Sequence, residues 1–227
     1  MELSSTQSDI LNELLNIAMG KTASILSQMI ERTININIPK SLLVSRQMLS
    51  TLFQEKYQKS LQEDMLGVTL DFSGKCSGST TLFFEQHQGK TLVDKLIAQQ
   101  DDDWDFDDPG DPEKFNQTGL FSDTDREALL EVGNMLINAL MGTIGNLLGL
   151  YFDYSLPELQ VPYKFDDLKP VENKNDVKDT LVLETHFIDA SEEIEGHLII
   201  MFSLGEFTQN LINAIDNIAK DLSDDDF

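Results

Sequence analysis

Two stretches of this chain carry the same four landmarks at the same spacing. Asp9-x3-Glu13-x2-Asn16-x22-Pro39 recurs as Glu127-x3-Glu131-x2-Asn134-x22-Pro157, shifted by 118 residues. Gly78 and Gly196 keep the same shift, whereas Phe72 and Phe187 lie 115 apart. The second hairpin turn is therefore read as three residues longer and the connection before it as three shorter. A fixed long-range period of this kind implies two similar structural units, which limits the folds open to the chain.

The pattern within each unit indicates its elements. Ile10, Leu14, Ile17, Ile25 and Met29 recur at helical spacing, so residues 6–30 read as one long helix. Thr33–Ile38 alternates as a strand, closed by Pro39 at a position where a strand tolerates proline. Residues 41–63 hold Met48, Leu52 and Phe53 and are read as containing a short helix. Met65–Phe72 and Ser77–Phe84 form a hairpin about Ser73-Gly74-Lys75, and Gly89–Gln99 a helix with Leu92, Val93 and Leu96 inward.

The second unit repeats the order. Ser122 or Asp123 caps a long helix to about Leu148, followed by a strand at Tyr151–Ser155 near Pro157 and a loop over 164–178. A hairpin of Thr180–Phe187 and Gly196–Phe202 follows, then a terminal helix, Glu206–Leu222. Neither unit has enough strands to cover its long helix, so the two should share one sheet. The expectation is an α+β domain over residues 1–227, with a pseudo-two-fold duplication and two long motif helices on a shared antiparallel sheet. Its repeats span about 6–100 and 119–222, joined by an acidic connector at 101–118.

Charge narrows the function classes. The chain has a formal net charge of −24. Residues 101–113 hold eight acids and Asp221–Asp226 four, with no basic residue in either. A balance this acidic argues against nucleic acid as partner, since phosphates require a basic face. The lone Cys76 cannot form an internal disulfide, which fits a reducing cytoplasm. MELSSTQSD lacks the features of a signal peptide, and the apolar run Met135–Phe152 is broken by Asn138, Thr143, Asn146 and three glycines. A cytoplasmic protein with no membrane insertion is expected.

At about 100° per residue, positions i, i+4 and i+7 of a helix share one stripe. Asp9, Glu13 and Asn16 form such a stripe, continued by Gly20; Glu127, Glu131 and Asn134 form the other, continued by Asn138. Gly20 costs helix propensity, about 1 kcal/mol relative to alanine, and lowers the wall beside Asn16 so that another surface can approach. A single stripe of this sort is most simply a solvated helix face. Two, each followed by a proline at the same distance, ask for more.

The doubled pattern resembles the signature of the CheC/CheX/FliY phosphatases of bacterial chemotaxis. LNELLNIAMGKTAS and LLEVGNMLINAL are similar to the two motif helices of its two-site, CheC-like members. The likeness extends over essentially the whole chain. Only Glu127 departs, standing where that pattern has Asp or Ser, so the first site is the better match. The resemblance implies hydrolysis of the aspartyl phosphate on a CheY-like response regulator, with no covalent enzyme intermediate. It makes Asn16 and Asn134 the residues that position water, and Glu13 and Glu131 the partners of the receiver's lysine. Asp9 and Glu127 would support the stripe or touch the partner, and Pro39 and Pro157 would be structural. No cofactor of its own is implied, because the receiver brings Mg²⁺. The rival reading is a module that binds a receiver, or a CheD-like deamidase, without catalysis.

Other signals lead nowhere definite. Aligning Gly110 with the sixth position of a calcium loop puts Asn116 where the twelfth requires Glu, so 101–113 reads as a connector in which Trp104 and Phe106 can dock. Gly142, Gly145 and Gly149 make no dinucleotide fingerprint and are read as allowing close helix packing. His87, His186 and His197 are not grouped at metal-ligand spacings, so no metal site is expected, and no nucleophile elbow or Cys–His pair stands out.

Overall fold

The computed structural model describes residues 4–37, 40–45, 48–56, 65–74, 76–100, 121–163, 179–191, 193–203 and 211–218. Pro39, Lys75, the connector at 101–118 and the acidic tail lie outside the described residues. The first unit contains α1 (Ser5–Met29), β1 (Ile34–Ile36), β2 (Lys40–Ser45), α2 (Leu49–Lys56), β3 (Met65–Gly74), β4 (Ser77–Glu85) and α3 (Gln86–Gln100). The second contains α4 (Asp123–Leu148), β5 (Phe152–Tyr154), β6 (Glu158–Gln160), β7 (Asp179–Asp189), β8 (Glu195–Ser203) and a terminal helix described at 211–218.

Both long helices start where their caps dictate. Ser4 and Gln7 exchange side chain-to-backbone hydrogen bonds before α1, and Ser122 and Asp125 do the same before α4, which fixes Ser122 as the cap. α4 ends at Gly149 in the left-handed conformation, φ 63°. A side chain on Gly145 would meet the Leu150 carbonyl, but one on Gly142 would meet nothing within 4 Å. Gly149 and Gly145 therefore serve the helix end and the returning chain, a different task from the helix packing expected of all three.

Eight strands form one antiparallel sheet among the described residues, in the order β1-β7-β8-β4-β3-β5, with β2 also paired to β7 and β6 to β3. The central pair, β4 and β8, sets Gly78 opposite Phe202 and Phe84 opposite Gly196. Each partner in those two pairs is related to its counterpart by the same 118-residue shift. The glycines are required: a Cβ at Gly78 would fall 2.4 Å from the Phe72 ring, and one at Gly196 2.2 Å from that of Phe187. The short strands of each half pair with the hairpin of the other. β1 and β2 hydrogen-bond to β7, and β5 and β6 to β3, so the sheet is built jointly.

β2 and β6 are the elements that periodicity does not reveal. The short helix expected within 41–63 is α2, but Lys40–Ser45 ahead of it is a strand that was not expected. Its Leu42 and Leu43 are both exposed, so it shows no alternation, and its pairing with β7 alone makes it a strand.

Alternation across the sheet gives two faces. Leu66, Val68, Leu70, Phe72, Phe84 and Ile200 point toward α1, α4 and the terminal helix. Met65, Phe83, Val182, Ile199 and Met201 point to the opposite face, under Leu49 and Phe53 of α2 and Tyr163. α4 approaches its face closely, because a Cβ on Gly133 would lie 2.7 Å from the Val68 side chain. It is long and apolar enough to cross a membrane, yet 56% of its apolar window is buried inside the fold, as for a core helix. α1 and α4 also pack on one another.

Candidate functional site

The buried arc of α1 consists of Leu11, Leu14, Leu15, Ala18, Met19, Thr22 and Leu26. On a helix turning about 100° per residue, Asp9, Glu13, Asn16 and Gly20 occupy the opposite side, and all four are exposed. α4 repeats this division. Leu129, Val132, Gly133, Leu136, Ile137 and Leu140 are buried, while Glu127 and Glu131 are exposed and Asn134 and Asn138 half-buried. Each expected stripe is thus presented outward by a helix whose other side is fixed in the core.

Ile17 corrects the sequence reading. Counted there among the apolar positions facing inward, it is 48% exposed. Its counterpart 118 residues on, Met135, is 41% exposed. Helix geometry accounts for both, since position 17 falls between the buried arc and the stripe. Each candidate asparagine therefore has a large apolar side chain directly beside it at the surface. The signal was available in sequence, as two apolar residues each following the motif asparagine.

The two stripes differ at their fourth position. Asn138 Nδ2 donates to Asn134 Oδ1 at 2.8 Å, which fixes the orientation of the Asn134 amide and leaves its Nδ2 and one carbonyl lone pair available. At the equivalent place α1 has Gly20, where a Cβ would meet nothing within 4 Å. No side-chain hydrogen bond holds Asn16 among the described residues.

Polar contacts anchor the helices behind the stripes. Asp125 accepts from the Ser122 backbone N–H at 2.8 Å and from Lys90 Nζ at 3.1 Å, tying α4 to α3. Burial pushes the Asp125 carboxyl upward, but these hydrogen bonds and the Lys90 charge outweigh it and hold the group below its ordinary value. Gln7 Nε2 donates to Asp216 Oδ1 at 2.9 Å, joining α1 to the terminal helix. At the far end of α1, Arg32 pairs with Asp189 at 3.2 Å and Glu193 at 2.9 Å in the β7–β8 turn. Pro157 lies between β5 and β6, just past the exit of the strand that follows α4.

The histidines do not all stand apart, as their sequence spacing suggested. His186 and His197 are directly opposite one another on β7 and β8, with Glu195 two residues before His197. His87 stands elsewhere, at the start of α3. The sheet register, which local spacing does not encode, brings the pair together. They lie with Phe83 on the face away from α1 and α4.

No family model matches the chain. The CheY-P phosphatase CheC of Bacillus subtilis (strain 168) is 24% identical over 199 residues, covering 86% of this chain and 87% of that protein. Among solved structures, Thermotoga maritima FliY superposes with a TM-score of 0.66 at 18% identity, over 96% of this chain and 99% of its own. The FliM middle domain of H. pylori matches with a TM-score of 0.58 at 9% identity, covering 92% of this chain and 98% of its own. At these identities the solved structures show the fold alone, and activity has to be read from the stripes themselves.

Proposed function

We propose that this chain, which belongs to the CheC/CheX/FliY family, hydrolyses the aspartyl phosphate of a CheY-like receiver domain, with one site on α1 and one on α4. The observation that carries this reading is the outward-facing Glu–Asn pair on each helix, set beside an exposed apolar residue and opposite a buried arc.

The chemistry asks little of the protein. An acyl phosphate is already activated, and a receiver's own Mg²⁺ neutralises charge on the phosphoryl oxygens. What remains is to hold a water in line with phosphorus, a task of positioning. A carboxamide suits it, since Oδ1 accepts from the water while Nδ2 donates to a phosphoryl or water oxygen. Asn16 and Asn134 take that role. A carboxylate next to a phosphoryl group is repulsive unless it meets a cation, so Glu13 and Glu131 engage the receiver's lysine and set the register. Ile17 and Met135 supply apolar contact beside the inserted amide, and Asp9 and Glu127 lie at the edge of the same footprint. Gly20 leaves the approach to Asn16 open. The protein acts in the cytoplasm, where phosphorylated receivers are found.

The test is decay of a phosphorylated receiver with and without the protein. Removing a group that only positions water should cost its site on the order of 100-fold. Because two sites act in parallel, Asn16→Ala or Asn134→Ala alone removes only that site's share of the rate. The double variant should lose nearly all acceleration with its unfolding midpoint unchanged. Full activity in the folded double variant would exclude the proposed chemistry. Glu13→Ala with Glu131→Ala should weaken receiver binding as well as rate.

A further inference from the structure

Two imidazoles and a carboxylate converge on the sheet face opposite the motif helices. The register sets His186 of β7 against His197 of β8, with ring centroids 4.9 Å apart. Residues two apart on a strand point to one face, so Glu195 emerges beside His197 and diagonally from His186. Its Oε1 lies 2.6 Å from His186 Nε2 and 3.7 Å from His197 Nε2. One donor atom from each of the three residues falls within 4.8 Å of the others.

We propose that His186, Glu195 and His197 bind one divalent transition-metal ion of the zinc class. In a tetrahedral zinc site, metal–ligand bonds of about 2.0–2.2 Å place donor atoms roughly 3.4 Å from each other. The 2.6 and 3.7 Å separations from the Glu195 oxygen bracket that value, so each of these two needs an adjustment under one ångström. Glu195 can provide it, its side chain being 38% exposed, while the His186 and His197 side chains are 26% and 20% exposed. Three protein ligands leave the fourth position to water on the open side.

The surroundings suit such an ion. Phe83 stacks on His197 with centroids 5.1 Å apart, giving the site an apolar floor. Asn37 places its carboxamide 2.6 Å from His186 Nδ1. The Asn37 backbone is anchored there: its N–H donates to the His186 carbonyl at 2.9 Å, and its carbonyl accepts from Thr185 Oγ1 at 2.9 Å. When Nε2 takes the metal, the imidazole proton moves to Nδ1, and the amide turns to accept it through Oδ1. A partner of this kind orients a ligating histidine and raises its basicity. Imidazole with carboxylate selects zinc, nickel, cobalt or copper over magnesium and calcium, which require oxygen sets. The first unit offers no equivalent site, since Asp71 and Ser79 occupy the corresponding places.

The site joins β7 to β8 and, through Asn37, to the segment after β1. It does not depend on the phosphatase reading, because its face and its residues are different.

The experiment uses the full-length chain stripped of metal with a chelator, titrated with ZnCl₂ by calorimetry and with CoCl₂ by visible absorption. One ion per chain is expected, and Co²⁺ should develop the d–d bands of a four-coordinate site. His186→Gln and His197→Gln should each weaken binding at least tenfold, and Asn37→Ala about tenfold. His87→Ala should bind as the parent does. Absence of saturable binding to the unsubstituted chain overturns the proposal without recourse to any variant. So does binding that survives in the His186→Gln/His197→Gln double variant, as ions held by the acidic segment at 101–113 would.

Discussion

Asp125 offers the sharpest test of how the second motif helix is held. Its side chain is 7% exposed and accepts from two donors at once, the Ser122 backbone N–H and Lys90 Nζ. Alanine at this position removes three contributions. The reciprocal cap is worth about 1 kcal/mol, the charge-assisted bond to Lys90 about 1.5, and the carboxylate at the positive end of the helix dipole about 0.5. Lys90 retains Asp94 at 2.6 Å, so its charge is not stranded. The expected loss for Asp125→Ala is about 3 kcal/mol, and about 1.5 kcal/mol for Asp125→Asn, which keeps one acceptor oxygen and loses the charge.

Urea unfolding followed by circular dichroism measures both, with Asp94→Asn as control. Asp94 is 59% exposed, so that change should cost under about 0.5 kcal/mol. The pH dependence gives a second readout. Asp125 has a folded-state value lowered from 3.8. Its contribution is fully present above that unfolded value and is lost as pH falls through the lower folded one. The gap between parent and Asp125→Asn should therefore persist from neutral pH to about pH 4 and close only below it. A cost for Asp125→Ala no greater than that of Asp94→Asn would refute the assignment, as would a gap that closes near neutral pH.

Asp189 should behave similarly at the other end of the sheet. Burial acts to raise it, but hydrogen bonds from Ser191, the Ile194 and Glu193 backbone N–H groups and Arg32 hold it at about 2. Its stabilisation, about 2 kcal/mol, should be complete above pH 4 and lost toward pH 2, which acid titration of Asp189→Asn against the parent would reveal. Ile17→Asp with Met135→Asp should leave stability within about 0.5 kcal/mol, because both residues are exposed. Receiver KM should rise at least tenfold, and an unchanged KM would remove these residues from the docking surface. Gly20→Ala should raise the unfolding free energy by about 0.5–1 kcal/mol, since its Cβ meets nothing within 4 Å. If the open approach to Asn16 matters, the phosphatase rate measured in an Asn134→Ala background should fall.

The sequence makes some layers of this structure legible and conceals others. The start of α4 could be narrowed to Ser122 or Asp123 because a helix cap is a local signal, and the reciprocal bonds of Ser122 with Asp125 select the first. The hairpins could be placed because β3, β4, β7 and β8 have one face in a thick apolar core. β2 and β6 were invisible because short edge strands are specified by the partner's hydrogen bonds and not by their own alternation. Ile17 was misassigned because a wide apolar arc and a one-residue overhang look alike until the core is drawn around them. The histidine pair, 11 residues apart in sequence, is a matter of register between two strands, which no local spacing rule addresses.

The register across β4 and β8 connects these observations. Gly78 opposite Phe202 and Phe84 opposite Gly196 hold the two halves in one fixed relation, since a side chain at either glycine would strike an aromatic ring. With the frame fixed there, and with Leu11, Leu14 and their counterparts Leu129 and Val132 buried on it, the outward stripes have little freedom to drift. The halves differ at the fourth stripe position, Gly20 against Asn138, and on the far side of the sheet, where Asp71 and Ser79 stand against His186 and His197. On this account the similarity of the stripes is set by packing behind them. Their inequality is set by the one residue after each asparagine stripe, which leaves Asn16 open to approach and holds the Asn134 amide in a single orientation.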